Sequence, residues 1–211
     1  KDGSLFAVDG VIKAVGPAAE LPREADTTLD LRDHIVLPGL VNTHHHLYQS
    51  LTRTFAQDEP LFPWLQSLYP VWSHLTPDAI KVSAQVGIAE LLLSGCTTTS
   101  DHLYLFPNGS RLEDTIAAAS DVGLRFQPTR GAMSIGESAG GLPPDDLVED
   151  EAAILDDCIR VIDAFHDASP ASMCRVGVAP CSPFSVSREL MRDAAILARD
   201  KGVMMHTHLA E

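Results

Sequence analysis

Apolar and polar residues alternate in short β-like runs within the first 35 or so residues, which differ in this from the rest of the chain. The segment SLFAVDGVIKAVG contains two such runs on either side of Asp9-Gly10, a dipeptide typical of tight hairpin turns. The segment TTLDLRDHIVLPG continues the alternation. The pattern therefore predicts a small β element over residues 1–37.

After Pro38 the pattern changes, and short apolar runs alternate with longer segments of helical periodicity. Four segments predict helices: 76–95, 110–123, 143–166 and SRELMRDAAILARDKG, which ends at Gly202. Five predict strands: LVNT, CTTTSD, LRFQPTRG, MCRVGVAP and VMMHTH. Repeated βα units of this size predict an α/β fold with a parallel sheet over residues 38–211, either doubly wound or closed as a (β/α)₈ barrel.

Composition and charge exclude several classes of protein. The 211 residues include 15 basic and 29 acidic side chains, a net charge of −14, which argues against binding to nucleic-acid phosphates. No apolar run approaches the roughly 18 residues of a transmembrane helix, so we expect no membrane partner. The four cysteines are scattered without a Cys-x-x-Cys pair, and we therefore expect a reducing, cytoplasmic setting.

Three consecutive histidines, His44, His45 and His46, follow the first strand of the α/β part. Side chains two residues apart on a strand point to the same face, so His44 and His46 would share a face and His45 would lie on the other. Two imidazoles on one face can bind one divalent ion at about 2.0–2.1 Å. We predict that His44 and His46 are metal ligands and that His45 packs elsewhere.

A second histidine pair, His206 and His208, ends the fifth predicted strand, and Glu211 follows three residues after His208. Functional side chains of a barrel collect at the C-terminal ends of its strands, so His208 would join His44 and His46 around one ion. Glu211 would then lie beside the activated water, suited to transfer its proton. His206 is predicted to be a buried histidine with its own hydrogen-bond partners.

Together, the segments PGLVNTHHH and HTHLAE resemble two signatures of the amidohydrolase superfamily, in the branch of deaminases and chlorohydrolases that act on purine, pyrimidine and triazine rings. Within this branch, HHHLYQSLTR and TRGAMSIGESAGGLPPD are most similar to 8-oxoguanine deaminases, some of which resemble hydroxyatrazine ethylaminohydrolases. The resemblance implies a TIM-type (β/α)₈ barrel, with the first five or so βα units present in residues 38–211, and a small N-terminal β-sandwich that includes residues 1–37.

The same resemblance implies a cofactor and a catalytic residue. His44, His46 and His208 match the family's metal ligands, and Glu211 matches its acid/base glutamate. Dinuclear members carry a carboxylated lysine at the end of strand four, which VGVAPCSPFS lacks, so one Zn²⁺ per subunit is expected, with Fe²⁺ as the alternative. The family's later histidine and aspartate have no counterpart before residue 211, so we expect the chain to be part of a protein about twice as long.

The implied reaction is hydrolytic deamination of a small heterocycle, with 8-oxoguanine giving urate and ammonia. An s-triazine amino- or chlorohydrolase, another deaminase such as one for guanine or cytosine, and a non-catalytic metal-binding fragment stay open as alternatives. Candidate substrate contacts are Gln49, through its amide, Arg130, as a donor to a ring carbonyl, and Trp72, by stacking. A helix-surface position, an ion pair and core packing are their respective alternatives.

Two further predictions concern surfaces. The segment 47–75 is rich in aromatic residues and prolines, which indicates a lid over the site or an interface in a homo-oligomer. Asp101, at the end of the second strand, has either a supporting role at the site or a structural one.

Overall fold

The structure, a computed structural model, describes residues 2–209, and its contacts divide the chain into two compact units between Pro38 and Gly39. In the first unit, β1 (Gly3–Val8) and β2 (Val11–Pro17) pair as an antiparallel hairpin. Asp9 and Gly10 have φ angles of 50° and 73°, the left-handed conformation that a two-residue hairpin turn requires. The predicted hairpin is confirmed, whereas the predicted continuation over residues 27–39 is wrong, because that segment contains no strand.

The second unit contains a four-stranded parallel sheet whose strands follow one another in chain order. These strands are β3 (Leu40–Asn42), β4 (Cys96–Leu103), β5 (Arg125–Ala132) and β6 (Gly177–Pro180). Met205 forms an isolated parallel bridge with Val178, so the fifth predicted strand is represented by that single bridge within residues 2–209. Parallel strands in sequential order with helices between them are the arrangement of a partial (β/α)₈ barrel.

Five α-helices accompany the sheet: α1 (Leu61–Trp72), α2 (Pro77–Leu93), α3 (Leu112–Val122), α4 (Glu151–Phe165) and α5 (Arg188–Lys201). The side chains of Thr76, Asp150 and Ser187 accept hydrogen bonds from backbone N–H groups in the first turns of α2, α4 and α5. Gly123 and Gly202 end α3 and α5 in the left-handed conformation. None of the helices in the described chain is both long and apolar enough to cross a bilayer.

Three elements differ from their predicted limits. Helix α1 lies inside the segment 47–75, where the prolines favoured a lid or interface, and it continues through Pro70. Helix α4 begins at Glu151 rather than at residue 143, because Asp150 caps it and a short 3₁₀ turn precedes it. Strand β4 continues to Leu103, two residues beyond the predicted end, which brings His102 to the same edge of the sheet as the other histidines.

Candidate metal centre and active-site cavity

Three imidazoles converge at the C-terminal edge of the sheet. One ring nitrogen from each of His44, His46 and His208 lies within 4.8 Å of those of the other two. The ring centroids are 4.8 Å apart for His44–His46, 5.0 Å for His44–His208 and 5.1 Å for His46–His208. The structure therefore brings the three predicted ligands together, although 162 residues separate His46 from His208.

Backbone carbonyls fix how two of these rings face each other. Nδ1 of His46 lies 2.7 Å from the carbonyl oxygen of His102, and Nδ1 of His208 lies 2.8 Å from that of Cys181. A carbonyl oxygen only accepts, so both Nδ1 atoms donate, and Nε2 is the nitrogen of each ring that is left to bind an ion. Burial, together with the neighbouring His208 and His44 rings, lowers the pKa of His46 to about 3, which keeps this ring neutral.

The donor set fits a divalent metal ion. Nε2 of His46 and Nε2 of His208 lie 3.1 Å apart, so the two nitrogens face each other at a distance that a shared cation can bridge. A proton could join only two nitrogens, whereas a tetrahedral zinc ion with Zn–N distances of 2.0–2.1 Å spaces its nitrogen ligands by about 3.3 Å and also accommodates His44. Three imidazoles are a ligand set typical of Zn²⁺.

The two remaining histidines of the sequence clusters differ in position. His45 packs against α2, where a Cβ atom on Gly87 would lie 3.8 Å from His45 Cε1, and its ring does not line the cavity described below. His206 lies beside the triad, with Nε2 2.9 Å from Nδ1 of His44. Burial lowers the pKa values of both His45 and His206.

The turn after His46 is anchored by buried polar groups on two neighbouring elements. Oδ1 of Asp101 accepts a hydrogen bond from the Leu47 N–H at 2.7 Å. The Ser83 hydroxyl on α2 lies 2.8 Å from the Leu47 carbonyl oxygen and 2.9 Å from that of Tyr48. Gly87 permits α2 to pack closely against this turn, since a Cβ atom at position 87 would approach Leu47 Cδ2 to 2.7 Å. Burial raises the pKa of Asp101 to about 7, against the opposing effect of N–H donors.

A cavity of about 520 Å³ opens beside the triad, within the size range of small-molecule sites. Its wall is largely apolar and aromatic, with a few polar side chains. It is lined by His44, His46, Gln49, Leu61, Phe62, Trp64, Leu65, Tyr69, Tyr104, Gly140, Gly141, Leu142, Pro143, Cys181, Ser182, Phe184, Ser185 and His208. Most of segment 61–69 faces this space, so α1 contributes one wall of the cavity.

Gln49 lies in this wall, as a substrate contact would require. Its Nε2 donates hydrogen bonds to the Tyr48 and Tyr104 hydroxyls at 3.0 and 3.4 Å. Both amide hydrogens are therefore engaged, and Oε1 remains available to accept from a ligand.

Neither Arg130 nor Trp72 lines this cavity, so the structure gives no support to the predicted substrate contacts of these two residues. Arg130 is 3% exposed, and its guanidinium donates to Glu149 at 2.8 and 2.9 Å and to Asp157 at 2.8 Å. Strand alternation places Arg130 on the helix side of β5, where it bonds these carboxylates. Trp72 is 0% exposed, and its Nε1 donates to the Thr52 hydroxyl at 3.0 Å.

Several cavity residues were not predicted. Tyr104 follows β4, whose extension beyond Asp101 the sequence pattern missed. Phe62 and Trp64 lie in the first turn of α1, the helix that was not predicted, and Phe184 lies in the loop after β6. The aromatic content of segment 47–75 is a signal that could have found Phe62 and Trp64, whereas no comparable sequence signal marks Tyr104 or Phe184. The predicted catalytic residue Glu211 lies outside the described residues.

Comparisons with known proteins agree with this geometry. The model of the amidohydrolase family matches residues 35–211. The chain is 46% identical to an 8-oxoguanine deaminase from Pseudomonas aeruginosa, over 99% of this chain and 48% of the deaminase. It is 37% identical to a hydroxydechloroatrazine ethylaminohydrolase from Pseudomonas sp. strain ADP, over 98% of this chain and 46% of that enzyme.

The fold is also similar to that of a solved structure. The zinc complex of an atrazine chlorohydrolase from Arthrobacter aurescens TC1 superimposes with a TM-score of 0.89 at 32% identity. The match covers 99% of this chain and 48% of the chlorohydrolase chain. The chain thus spans about half the length of the relatives it matches.

Proposed function

Because this chain belongs to the amidohydrolase family, we propose that the protein is a metal-dependent aminohydrolase that replaces an amino group on a heterocyclic ring with a hydroxyl group. The observation that carries this proposal is the pair of facing Nε2 atoms of His46 and His208, 3.1 Å apart, with His44 beside them. These three residues would hold one Zn²⁺, with Fe²⁺ as the alternative. The ion, when bound, supplies the positive charge that makes water a nucleophile near neutral pH.

The proposed substrate is 8-oxoguanine. The 46% identity to an 8-oxoguanine deaminase supports this choice, and hydrolysis at C2 of that purine would consume one water and give urate and ammonia. Gln49 would accept a hydrogen bond from a ring N–H through Oε1, because Tyr48 and Tyr104 already hold its amide hydrogens. The aromatic wall would pack on the faces of the planar ring and exclude bulk water.

Proton transfer would be the task of Glu211. Its position three residues after His208 supports this assignment, since a carboxylate there could give a proton to the ring nitrogen next to the attacked carbon. A cytoplasmic location and a homo-oligomeric assembly also remain proposals, supported by the cysteine pattern and the aromatic surface of segment 47–75.

A second candidate is the hydrolysis of an s-triazine. It is favoured by the 37% identity to a hydroxydechloroatrazine ethylaminohydrolase and by the structural similarity to an atrazine chlorohydrolase. The same site could serve either reaction, since both replace a ring substituent with hydroxyl.

The deciding experiment is a turnover panel on the full-length protein with its metal content measured. Formation of urate and ammonia from 8-oxoguanine supports the leading proposal, and release of ethylamine from hydroxyatrazine supports the second. The matched variant Glu211→Gln should keep its metal and lose most turnover. Release of ammonia from guanine or cytosine instead would support a deaminase of another specificity, and a zinc-loaded protein inactive on all four compounds would leave the non-catalytic alternative.

A further inference from the structure

A further histidine outside the triad, His102, is buried directly beside His208. His102 on β4 is 0% exposed, and its ring stacks on that of His208 with centroids 4.8 Å apart and planes 12° apart. Its Nε2 donates to the Ala179 carbonyl oxygen at 3.2 Å, which leaves Nδ1 with a lone pair. Within residues 2–209 this Nδ1 has no hydrogen-bond partner. Burying a polar atom without a hydrogen-bond partner costs folding free energy, so this Nδ1 is a candidate ligand atom for a bound ion.

A thiol lies next to the same ring. Sγ of Cys181 is 3.8 Å from Nδ1 of His208, and Cys181 is 6% exposed in the cavity wall. One ligand atom from each of His102, Cys181 and His208 lies within 4.8 Å of those of the other two. A tetrahedral ion with Zn–S of 2.3 Å and Zn–N of 2.0–2.1 Å spaces sulfur from nitrogen by about 3.6 Å, close to the distance observed here.

We propose that His102, Cys181 and His208 form a second cation site, here called the thiol site, that takes soft divalent ions such as Cd²⁺ or excess Zn²⁺. One thiolate and two imidazoles favour such ions over Mg²⁺ or Ca²⁺, which prefer oxygen ligands. The thiol site is distinct from the triad of His44, His46 and His208 but shares one residue with it.

The shared residue makes the two sites interdependent. Nε2 of His208 faces His46, whereas Nδ1 faces Cys181 and donates to its carbonyl oxygen at 2.8 Å. A cation bound to Cys181 Sγ and to Nδ1 of His208 displaces the thiol proton to solvent, and the Nδ1 proton of His208 moves to Nε2 of the same ring. The protonated Nε2 then has no lone pair for an ion shared with His46. Occupancy of the thiol site therefore weakens the triad, and excess soft cation inhibits turnover. This last step alone rests on the proposed function.

The test uses the full-length protein loaded with Zn²⁺ and then titrated with Cd²⁺. Binding at the thiol site produces an ultraviolet thiolate-to-cadmium charge-transfer band that saturates with a single added equivalent. Absence of the band in the wild-type protein overturns the proposal, whatever the protein's activity, so its failure is separable from failure of the proposed function.

Three variants test which residues are required for the charge-transfer band. Cys181→Ser should abolish it. Cys174→Ser, which alters a more exposed thiol, should retain it, and adventitious thiol binding would give the reverse result. His102→Phe keeps a ring for stacking but removes both nitrogens, and it should weaken Cd²⁺ binding by more than about tenfold. A band of unchanged intensity in Cys181→Ser overturns the proposal.

Inhibition supplies an independent readout. Cd²⁺ should reduce the turnover of the wild-type and Cys174→Ser proteins, whereas Cys181→Ser should keep a larger fraction of its own activity at the same Cd²⁺ concentration. Equal inhibition of all three proteins would contradict the coupling through His208.

Discussion

The carboxylate of Asp101 holds the backbone N–H of Leu47 at 2.7 Å, and Leu47 immediately follows the candidate ligand His46. The hydrogen bond joins the end of β4 to the turn that carries the first two histidines, and Asp101 is fully buried. Asp101 therefore positions the turn after the candidate metal ligands through the main chain, without lining the cavity.

Replacing Asp101 should loosen the metal centre. Asp101→Ala leaves the Leu47 N–H unpaired in the interior, which should cost about 1–3 kcal/mol of unfolding free energy. Metal affinity, measured by competition with a chelator, should fall about 10- to 100-fold, as for other residues that orient ligands. Asp101→Asn keeps an acceptor and should lie between Asp101→Ala and wild type. Unchanged affinity in Asp101→Ala would argue against a positioning role.

Substitutions of the consecutive histidines His45 and His46 should have different effects on the amount of bound metal. His46→Ala and His208→Ala each remove a nitrogen of the facing pair, so the purified variants should lose their bound metal in stoichiometric analysis. His45→Ala provides the matched control, because its ring packs toward Gly87 and away from the cavity. Metal loss in His45→Ala equal to that in His46→Ala would contradict the assignment.

Two aromatic rings at the cavity should contribute to substrate binding. Phe62 and Phe184 are 44% and 52% exposed, and their ring centroids lie 6.1 Å apart in an edge-on arrangement. A planar ring entering the cavity would cover part of each. Phe62→Ala or Phe184→Ala should therefore raise KM about fivefold, equivalent to about 1 kcal/mol of lost apolar contact, with kcat little changed.

Phe55→Ala is the control for this prediction, because Phe55 is 50% exposed but does not line the cavity beside the triad. An equal rise of KM in the Phe55 variant would show that the effect is not local to the cavity.

Arg130 should affect stability rather than substrate affinity. Its guanidinium bonds Glu149 and Asp157 and lies 4.0 Å from the centroid of the Phe106 ring. Arg130→Met leaves Glu149 and Asp157 without their shared cation; breaking a fully buried pair costs about 3–5 kcal/mol, and this pair should cost less because both carboxylates are partly exposed. Urea unfolding should show this loss, while KM of the protein that remains folded should match wild type. A raised KM at unchanged stability would restore the substrate-contact interpretation.

The ion pairs of Asp157 should make part of the free energy of unfolding depend on pH. Burial raises the pKa of Asp157, but hydrogen bonds and charge from Arg130 and Arg160 outweigh it, so the pKa is lowered overall. The stabilisation is therefore fully present above the unfolded value of about 3.9 and is lost as pH falls through the lower folded value. Asp157→Asn should be less stable than wild type by about 1–2 kcal/mol near neutrality.

Urea unfolding between neutral and acidic pH measures this difference, which should shrink below about pH 4. Asp193→Asn removes an ion pair between exposed side chains and should differ little from wild type at any pH. A gap between wild type and Asp157→Asn that widens toward acid would contradict the sign of the shift.

Local sequence signals were sufficient for much of the fold. The caps at Thr76 and Ser187, the end of α5 at Gly202 and the Asp9-Gly10 turn are decided by residues close together in the chain, so the helices and the hairpin follow from pattern. Helix α1 was missed because Pro70 inside a segment argues against a helix, and packing of its buried face outweighs that local cost.

The site was only partly predictable for a related reason. The two His-x-His spacings predict metal ligands on one face, because side chains two residues apart on a strand point to the same side. Whether Arg130 faces the cavity or the helices depends on the register of β5 against its neighbours, which depends on partners distant in sequence. Burial of Trp72 and extension of β4 to Leu103 are likewise tertiary effects.

The rings of His46 and His208 are both oriented by main-chain oxygens, those of His102 and Cys181. No codon change can delete a carbonyl group, so the aim of these two ligands does not depend on the identity of the residues that anchor them. Substitutions in the cavity lining can therefore change its shape while the candidate metal centre keeps its own. Directed evolution confined to Phe62, Trp64 and Phe184 would exploit this separation, with metal retention as a built-in check on each library.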